Sequence, residues 1–418
     1  MEERWDYLLI NGQSNYIKVK NPKYDGIELQ DFELVEPVKF KNDDEEEIKP
    51  SIQQIQYEKR GLYVEFFKKP FKNLLILTGA GSSIGVGGKS MFQLWDIAER
   101  KYYFEEINNK ITISDFQTLC SEIKFDYTTK NLEALLSQIE GCIRFSEDKE
   151  VQFKKEKHKL SEIRKQIFET IRTECTITTP SENIPHKKFI DKVLQRKQTN
   201  PRVKFFTLNY DTLFENAAQK SNAIIIDGFS YTMPRTFSGR YFDYDIVQRE
   251  GSKLKEEDNF IQRVFHLHKL HGSINWEIDI ITGEVVINSE TKDPLMVYPR
   301  DAKYEDSYEQ PFFEMMARFQ RSLRQNNDTL LICIGYSFND KHINSAIEEA
   351  LNQNPGFRLA VIDPGINSGN SKMLELKSHA MNSNRILMVA ETFADFADNY
   401  PEIQTYNEVP LEKVILSQ

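Results

Sequence analysis

The chain has 418 residues, 39% hydrophobic and 28% charged, with a formal net charge of −10. That length accommodates one large α/β domain with insertions or two or three smaller units, and the acidic balance argues against a protein whose main task is gripping phosphate backbones. No direct sequence-specific nucleic-acid binding is expected. No apolar run approaches the roughly 20 residues that span a bilayer, and the opening MEERWDYLLING has no basic segment leading into a long apolar core, so a cytoplasmic protein without membrane contact is expected. The four cysteines, Cys120, Cys142, Cys175 and Cys333, are scattered without a CxxC pair. This excludes the usual zinc ribbon and argues against a disulfide framework.

Residues 1–70 mix short apolar pieces with the acidic run Asp43 to Glu47 and Pro50. They read as an N-terminal extension, a candidate assembly arm. From Leu74 onward, short β-rich runs end in polar or glycine residues and alternate with helical stretches. The runs are Leu74 to Thr78, Val203 to Leu208, Ala223 to Asp227, Val264 to Leu270, Pro294 to Pro299, Thr329 to Gly335, Phe357 to Asp363 and Arg385 to Ala390. Helices are predicted over Lys187 to Arg196, Thr212 to Lys220, Pro311 to Asn326 and Asp340 to Asn352. This alternation predicts an α/β fold with a Rossmann-like, doubly wound parallel sheet. Between Met91 and Thr179 no strand pattern stands out, so a helical insertion subdomain is expected at about 91–180. Tyr231 to Gln262 reads as a loop or lid, and 401–418 as a C-terminal tail to a domain covering 71–400.

Ligands in open α/β sheets bind beyond the carboxyl ends of the strands. The residues there are Gly79, Ala80, Gly81, Ser82 and Ser83 after the first run, Thr207 to Asp211 at the second, His271-Gly272-Ser273 after the fourth, Gly335-Tyr336-Ser337 at the sixth, and Asp363 at the seventh. The GAGSS turn is either a phosphate-binding loop, with glycine supplying positive φ and close backbone approach, or a tight strand-to-helix turn. It does not complete GxGxxG, because Ile84 stands where the third glycine would. Asn209 and Asp211 are either site residues or caps of the following helix. Asp363 either receives a ribose or forms a turn before Pro364. His266, His268 and His271 invite a metal reading, but no HxxxH pair or cysteine supports it, and no metal is predicted.

In their order and wording these segments resemble the NAD-binding motifs of the sirtuin family over about residues 70–400. The resemblance rests on GAGSS at Gly79 to Ser83, TLNYD at Thr207 to Asp211, HGS at His271 to Ser273, GYS at Gly335 to Ser337 and VID at Val361 to Asp363. The four-cysteine zinc ribbon that many sirtuins carry between the His-Gly and Gly-x-Ser motifs is missing. The chain looks closer to bacterial sirtuin-like proteins of antiphage defence that destroy NAD, some beside a HerA-type ATPase partner.

The resemblance implies NAD+ as substrate and a glycohydrolase releasing ADP-ribose and nicotinamide. It implies that Asn209 and Asp211 form the nicotinamide pocket, with Asn209 orienting water, and that His271 contacts the ribose hydroxyls. Gly79 to Ser82 would hold the pyrophosphate and Asp363 the adenosine ribose; Ser337 would support the phosphate or ribose, with Ser83, Thr207 and Gly335 also at the nucleotide. A homo-oligomer is expected. The competing readings are a non-catalytic NAD or ADP-ribose-binding regulatory subunit and a zinc-free NAD-dependent protein deacylase.

Overall fold

The computed structural model describes residues 3–41, 46–101, 115–145, 148–153, 156–178, 184–197, 200–248, 260–296, 310–325 and 328–402. Ten strands form its main sheet: β1 (Trp5–Ile10), β2 (Tyr16–Lys20), β3 (Leu34–Glu36), β4 (Asn73–Thr78), β5 (Val203–Thr207), β6 (Ile224–Ile226), β7 (Val264–Lys269), β8 (Thr329–Ile334), β9 (Phe357–Ile362) and β10 (Ile386–Val389). Their spatial order is β6-β7-β5-β4-β8-β9-β10-β1-β2-β3. From β6 to β10 neighbouring strands pair in parallel, whereas β1, β2 and β3 add on antiparallel.

The parallel strands read as unbroken apolar runs because both faces are covered. All six residues of β4 and of β8 are buried. Leu75, Leu77, Leu331, Cys333, Leu359 and Val361 pack into one core. Leu74, Ile76, Phe205, Ile332 and Ile362 pack into the other. The first core holds apolar faces of α9 (Phe312–Leu323), α10 (Lys341–Gln353) and α11 (Ser371–Asn382); the second holds those of α1 (Ile52–Lys68), α7 (Pro185–Val193), α8 (Leu213–Lys220) and α12 (Phe393–Asn399). Each fully buried aliphatic or aromatic side chain contributes about 1.5–3 kcal/mol, so this two-sided burial dominates the stability of the sheet.

Register fixes the functional end of the sheet. Thr207 pairs with Thr78 and with Lys269, Ile334 with Thr78, and Ile362 with Ile334. The carboxyl ends of β4, β5, β7, β8 and β9 are therefore level. The chain moves from β4 to β5 on one side and places β8 on the other, which makes β4 the point where the strand order reverses.

Three regions differ from expectation. Residues 5–36, read as part of an extension, are built into the sheet: β1 pairs with β10, and Leu8, Ile17 and Val19 share a small core with Phe32 and Ile55 of α1. β2 alternates between buried and half-buried residues, as an antiparallel strand with one face covered does, and β1 ends in a buried run of only three residues, Leu8 to Ile10, so both are weaker signals than the long apolar runs. The insertion contains α3 (Met91–Lys101), α4 (Asp115–Glu122), α5 (Leu132–Phe145) and α6 (Leu160–Cys175), but also an antiparallel hairpin of Glu150–Phe153 and Glu156–Lys159. The charged EKHK arm of that hairpin hid it. Finally, Pro294 to Met296 is no sheet strand; Met296 bridges to Gly272 and is buried in the core of the insertion, while 297–299 lie outside the described residues, as do 403–418 of the expected tail.

The helix α1 starts at a capping box, Ser51 with Gln54, and carries Lys59 under the sheet. Lys59 and Glu391 form an ion pair of 3.3 Å with side chains only 2% and 3% exposed. Burial lowers the Lys59 ammonium and raises the Glu391 carboxyl, and each charge offsets the other's shift. Removing one partner strands a buried charge, whereas removing both does not. Lys59→Met alone should cost about 3–5 kcal/mol, and Lys59→Met with Glu391→Leu should recover most of it in urea unfolding; additive losses would contradict the pairing.

Candidate functional site

At the end of β4 the chain turns through Gly79, Ala80 and α2 (Gly81–Ile84). Gly79 N–H donates to Ile334 O at 3.0 Å and Gly81 N–H to Gly335 O at 2.9 Å. Two backbones are in contact here. A Cβ on Gly79 would meet Gly335 O at 2.6 Å, one on Gly81 would meet Gly335 Cα at 2.6 Å, and one on Gly335 would meet Gly81 C at 2.4 Å. Gly335 has φ +57°, but Gly79 and Gly81 are not in the positive-φ region. The glycines of the loop are thus required by the close approach of the neighbouring strand end and not by backbone handedness, which corrects the positive-φ part of the sequence-based reason for them.

Asn209 fastens this loop to β5. Its Nδ2 donates to Gly79 O and Ser82 Oγ at 3.0 Å and to Ser83 Oγ at 2.9 Å. With the amide nitrogen so engaged, Oδ1 is left without a hydrogen-bond partner among the described residues. Ser82 Oγ donates to Gly79 O at 2.8 Å and Ser83 Oγ to Asp211 Oδ2 at 2.7 Å. Asp211 Oδ1 accepts the N–H of Leu213, the first residue of α8, at 3.0 Å from the position before the N-cap Thr212. Asp211 thus serves the start of a helix with one oxygen and braces the loop with the other. Thr207 is buried behind the turn, where its Oγ1 accepts Asn209 N–H at 3.1 Å; it positions Asn209 and does not line the cleft. Buried Lys269, missed in the sequence, supports the same turn by donating to the carbonyl oxygens of Asp211 and Tyr210 and by pairing with Glu215 at 3.0 Å.

Across the cleft, His271 Nε2 lies 3.2 Å from Asp340 Oδ2. Asp340 Oδ1 accepts the N–H groups of His342 at 2.9 Å and Ile343 at 3.1 Å, capping α10. Burial pushes the Asp340 carboxyl up, but the hydrogen bond and charge of His271 together with these two amides outweigh it, and the net shift is downward. Sequence reasoning treated Asp340 only as the start of a helix; an N-cap carboxylate has a second oxygen, and that was the usable signal. Glu133 of α5 lines the same cleft, and its Oε1 accepts the Tyr210 hydroxyl at 3.1 Å. Burial raises the Glu133 carboxyl against the opposing effects of His271 and Tyr210. Nothing in the sequence links position 133 to position 271.

These groups line one cleft of about 1570 Å³, which includes Gly79 to Ser83, Asn209, Asp211, His271, Gly335, Ser337 and Asp363 among its walls. Ser337 is exposed on it, and its carbonyl accepts Asn370 Nδ2 at 3.2 Å. Asp363 Oδ1 accepts Gly365 N–H at 2.6 Å, which is the expected turn, and burial raises its carboxyl against that bond. Its Oδ2 has no partner among the described residues. Ordinary small-molecule sites measure about 300–1000 Å³, so the cleft has room for a dinucleotide. His266 and His268 lie apart, in a buried aromatic stack: His268 is 4.2 Å from Phe242 and 4.5 Å from Phe206 between ring centroids. Burial pushes His266 down to about 4 and His268 down as well. They are core residues.

The contact at Gly335 can be isolated from its backbone handedness. Gly283 also has positive φ, +70°, but with nothing near the place of a Cβ. Gly283→Ala should cost about 1–2 kcal/mol, and Gly335→Ala clearly more, measured by urea unfolding; equal costs would show that the loop tolerates displacement.

No curated protein matches the chain. Residues 203–382 match the family model of the SIR2-like domain, a stretch that contains Asn209, Asp211, His271, Gly335, Ser337, Asp340 and Asp363 but neither the Gly79 to Ser83 loop nor Glu133. The match supports placing residues 203–382 in the sirtuin-like family.

Proposed function

We propose that the chain is an NAD+ glycohydrolase that releases nicotinamide and ADP-ribose. The observation that carries this reading is that the His271–Asp340 pair and the fixed Asn209 amide line one cleft at the level ends of the parallel strands. A SIR2-like match over that part of the chain agrees with NAD chemistry.

The nicotinamide of NAD+ leaves as a neutral ring from a cationic one, so no acid has to protonate it. What the chain must do is fix the ribose, stabilise positive charge at the anomeric carbon and supply water. Asn209, whose two amide N–H groups are shared among three acceptors, presents Oδ1 to orient that water. His271, held by Asp340, accepts a proton from a ribose hydroxyl or from the water. Gly79 to Ser83 and Gly335 cradle the pyrophosphate, with Ser337 beside it. Asp363 Oδ2 receives the adenosine ribose. Asp211 and Thr207 act by holding the loop and Asn209. No metal enters this scheme.

The physiological part of the reading is NAD+ depletion in antiphage defence by a cytoplasmic homo-oligomer beside a HerA-type ATPase. It is supported by the family resemblance of the motifs alone.

With folding verified, His271→Ala, Asp340→Asn and Asn209→Ala should each lower the rate of nicotinamide release by about 100-fold or more. Unchanged turnover in His271→Ala would overturn the assignment. Tight NAD+ binding without turnover in the unaltered chain would favour a regulatory binding subunit.

A further inference from the structure

The helical insertion contributes one wall of the cleft. On α5 the apolar residues Leu132, Leu135, Leu136 and Ile139 are buried in the core of the insertion. Glu133, Ser137 and Gly141, spaced four apart on one helix face, line the cleft. Glu133 is therefore held at the site by the packing of its own helix.

Its electrical surroundings are unbalanced. Asp340 shares its charge with His271 and with two helix amides. Glu133 has the neutral Tyr210 hydroxyl as its hydrogen-bond partner. Among the described residues neither carboxylate has a lysine or arginine within ion-pair distance, and the charged groups that act on Glu133 are His271 and Asp340. A half-buried carboxylate without a cation is less favourable than a solvated one, and a cationic ligand entering the cleft relieves that cost.

We propose that Glu133 makes the cleft selective for the oxidised, cationic nicotinamide ring over its neutral, reduced form. This rests on reading the cleft as an NAD site. The ring is the one part of the dinucleotide whose charge changes between the two forms, and the His271 corner is where the reacting end lies in that reading. The same carboxylate would favour the positive charge that develops on the ribose as the bond breaks.

Binding separates this inference from the chemistry. The probes are carba-NAD+, whose carbocyclic ribose resists hydrolysis, NADH and ADP-ribose, measured by calorimetry on the whole chain. The unaltered protein should bind carba-NAD+ about tenfold more tightly than NADH. Glu133→Gln, which keeps an acceptor for Tyr210, should bring the two within about twofold while leaving ADP-ribose affinity unchanged. Tyr210→Phe, which keeps the charge, should retain the preference. Equal affinities in the unaltered protein, or a preference that survives Glu133→Gln, would overturn the inference while leaving the NAD reading intact. Loss of the preference in Tyr210→Phe would overturn the electrostatic role. Failure of all three probes to bind would overturn both.

Discussion

The backbone of Gly335 touches that of Gly81, and the rest of the site depends on this contact. It brings the ends of β4 and β8 together with no side chain between them, so the turn after β4 is shaped by the strand beside it. Asn209 then closes the third side by bonding to Gly79 O and to both serine hydroxyls. Three strand ends are thereby locked at one height. A polar group at each end cannot move without displacing its neighbours, which is the condition for preorganised chemistry.

The two halves of the cleft differ in origin. The sheet supplies the loop, Asn209, His271 and Asp340, all close to strand ends in level register. The insertion supplies Glu133 from a helix with its own hydrophobic core. Tyr210 joins the halves: its ring packs in the core of the insertion, its hydroxyl reaches Glu133, and its carbonyl accepts Ile274 N–H at 3.1 Å. A movement of the insertion would therefore act directly on the turn that carries Asn209 and Asp211. This gives the insertion a physical route to influence the site.

Much of this was legible because parallel strands buried on both faces announce themselves as apolar runs, and the residues after them must lie near a switch-point cleft. The level ends made Gly79, Asn209, His271, Gly335 and Asp363 meet as expected. Features that depend on distant pairing were not legible. The antiparallel β2 alternates in burial, and β1 has a buried run of only three residues, Leu8 to Ile10. Asp340 was hidden in its capping role, and Glu133 belongs to a helix whose apolar stripe, Leu132, Leu135, Leu136 and Ile139, gives no reason to single it out among the polar residues. Thr207 was assigned to the nucleotide because it sits at a strand end, yet its side chain turns back to hold the Asn209 amide. Of the two reasons given for the loop glycines, positive φ is found at Gly335 and not at them, whereas close backbone approach is present, toward Gly335.

The central claim is that water, and not a peptide, takes the ribose from nicotinamide at this site. The most direct measurement is the identity and ratio of products formed from NAD+ by the purified chain, followed chromatographically with and without an acyl-lysine peptide. The account predicts nicotinamide and ADP-ribose in equal amounts without peptide, unaffected when peptide is added. Product formation that requires the peptide and yields an acylated sugar nucleotide, or no product at all, would contradict it.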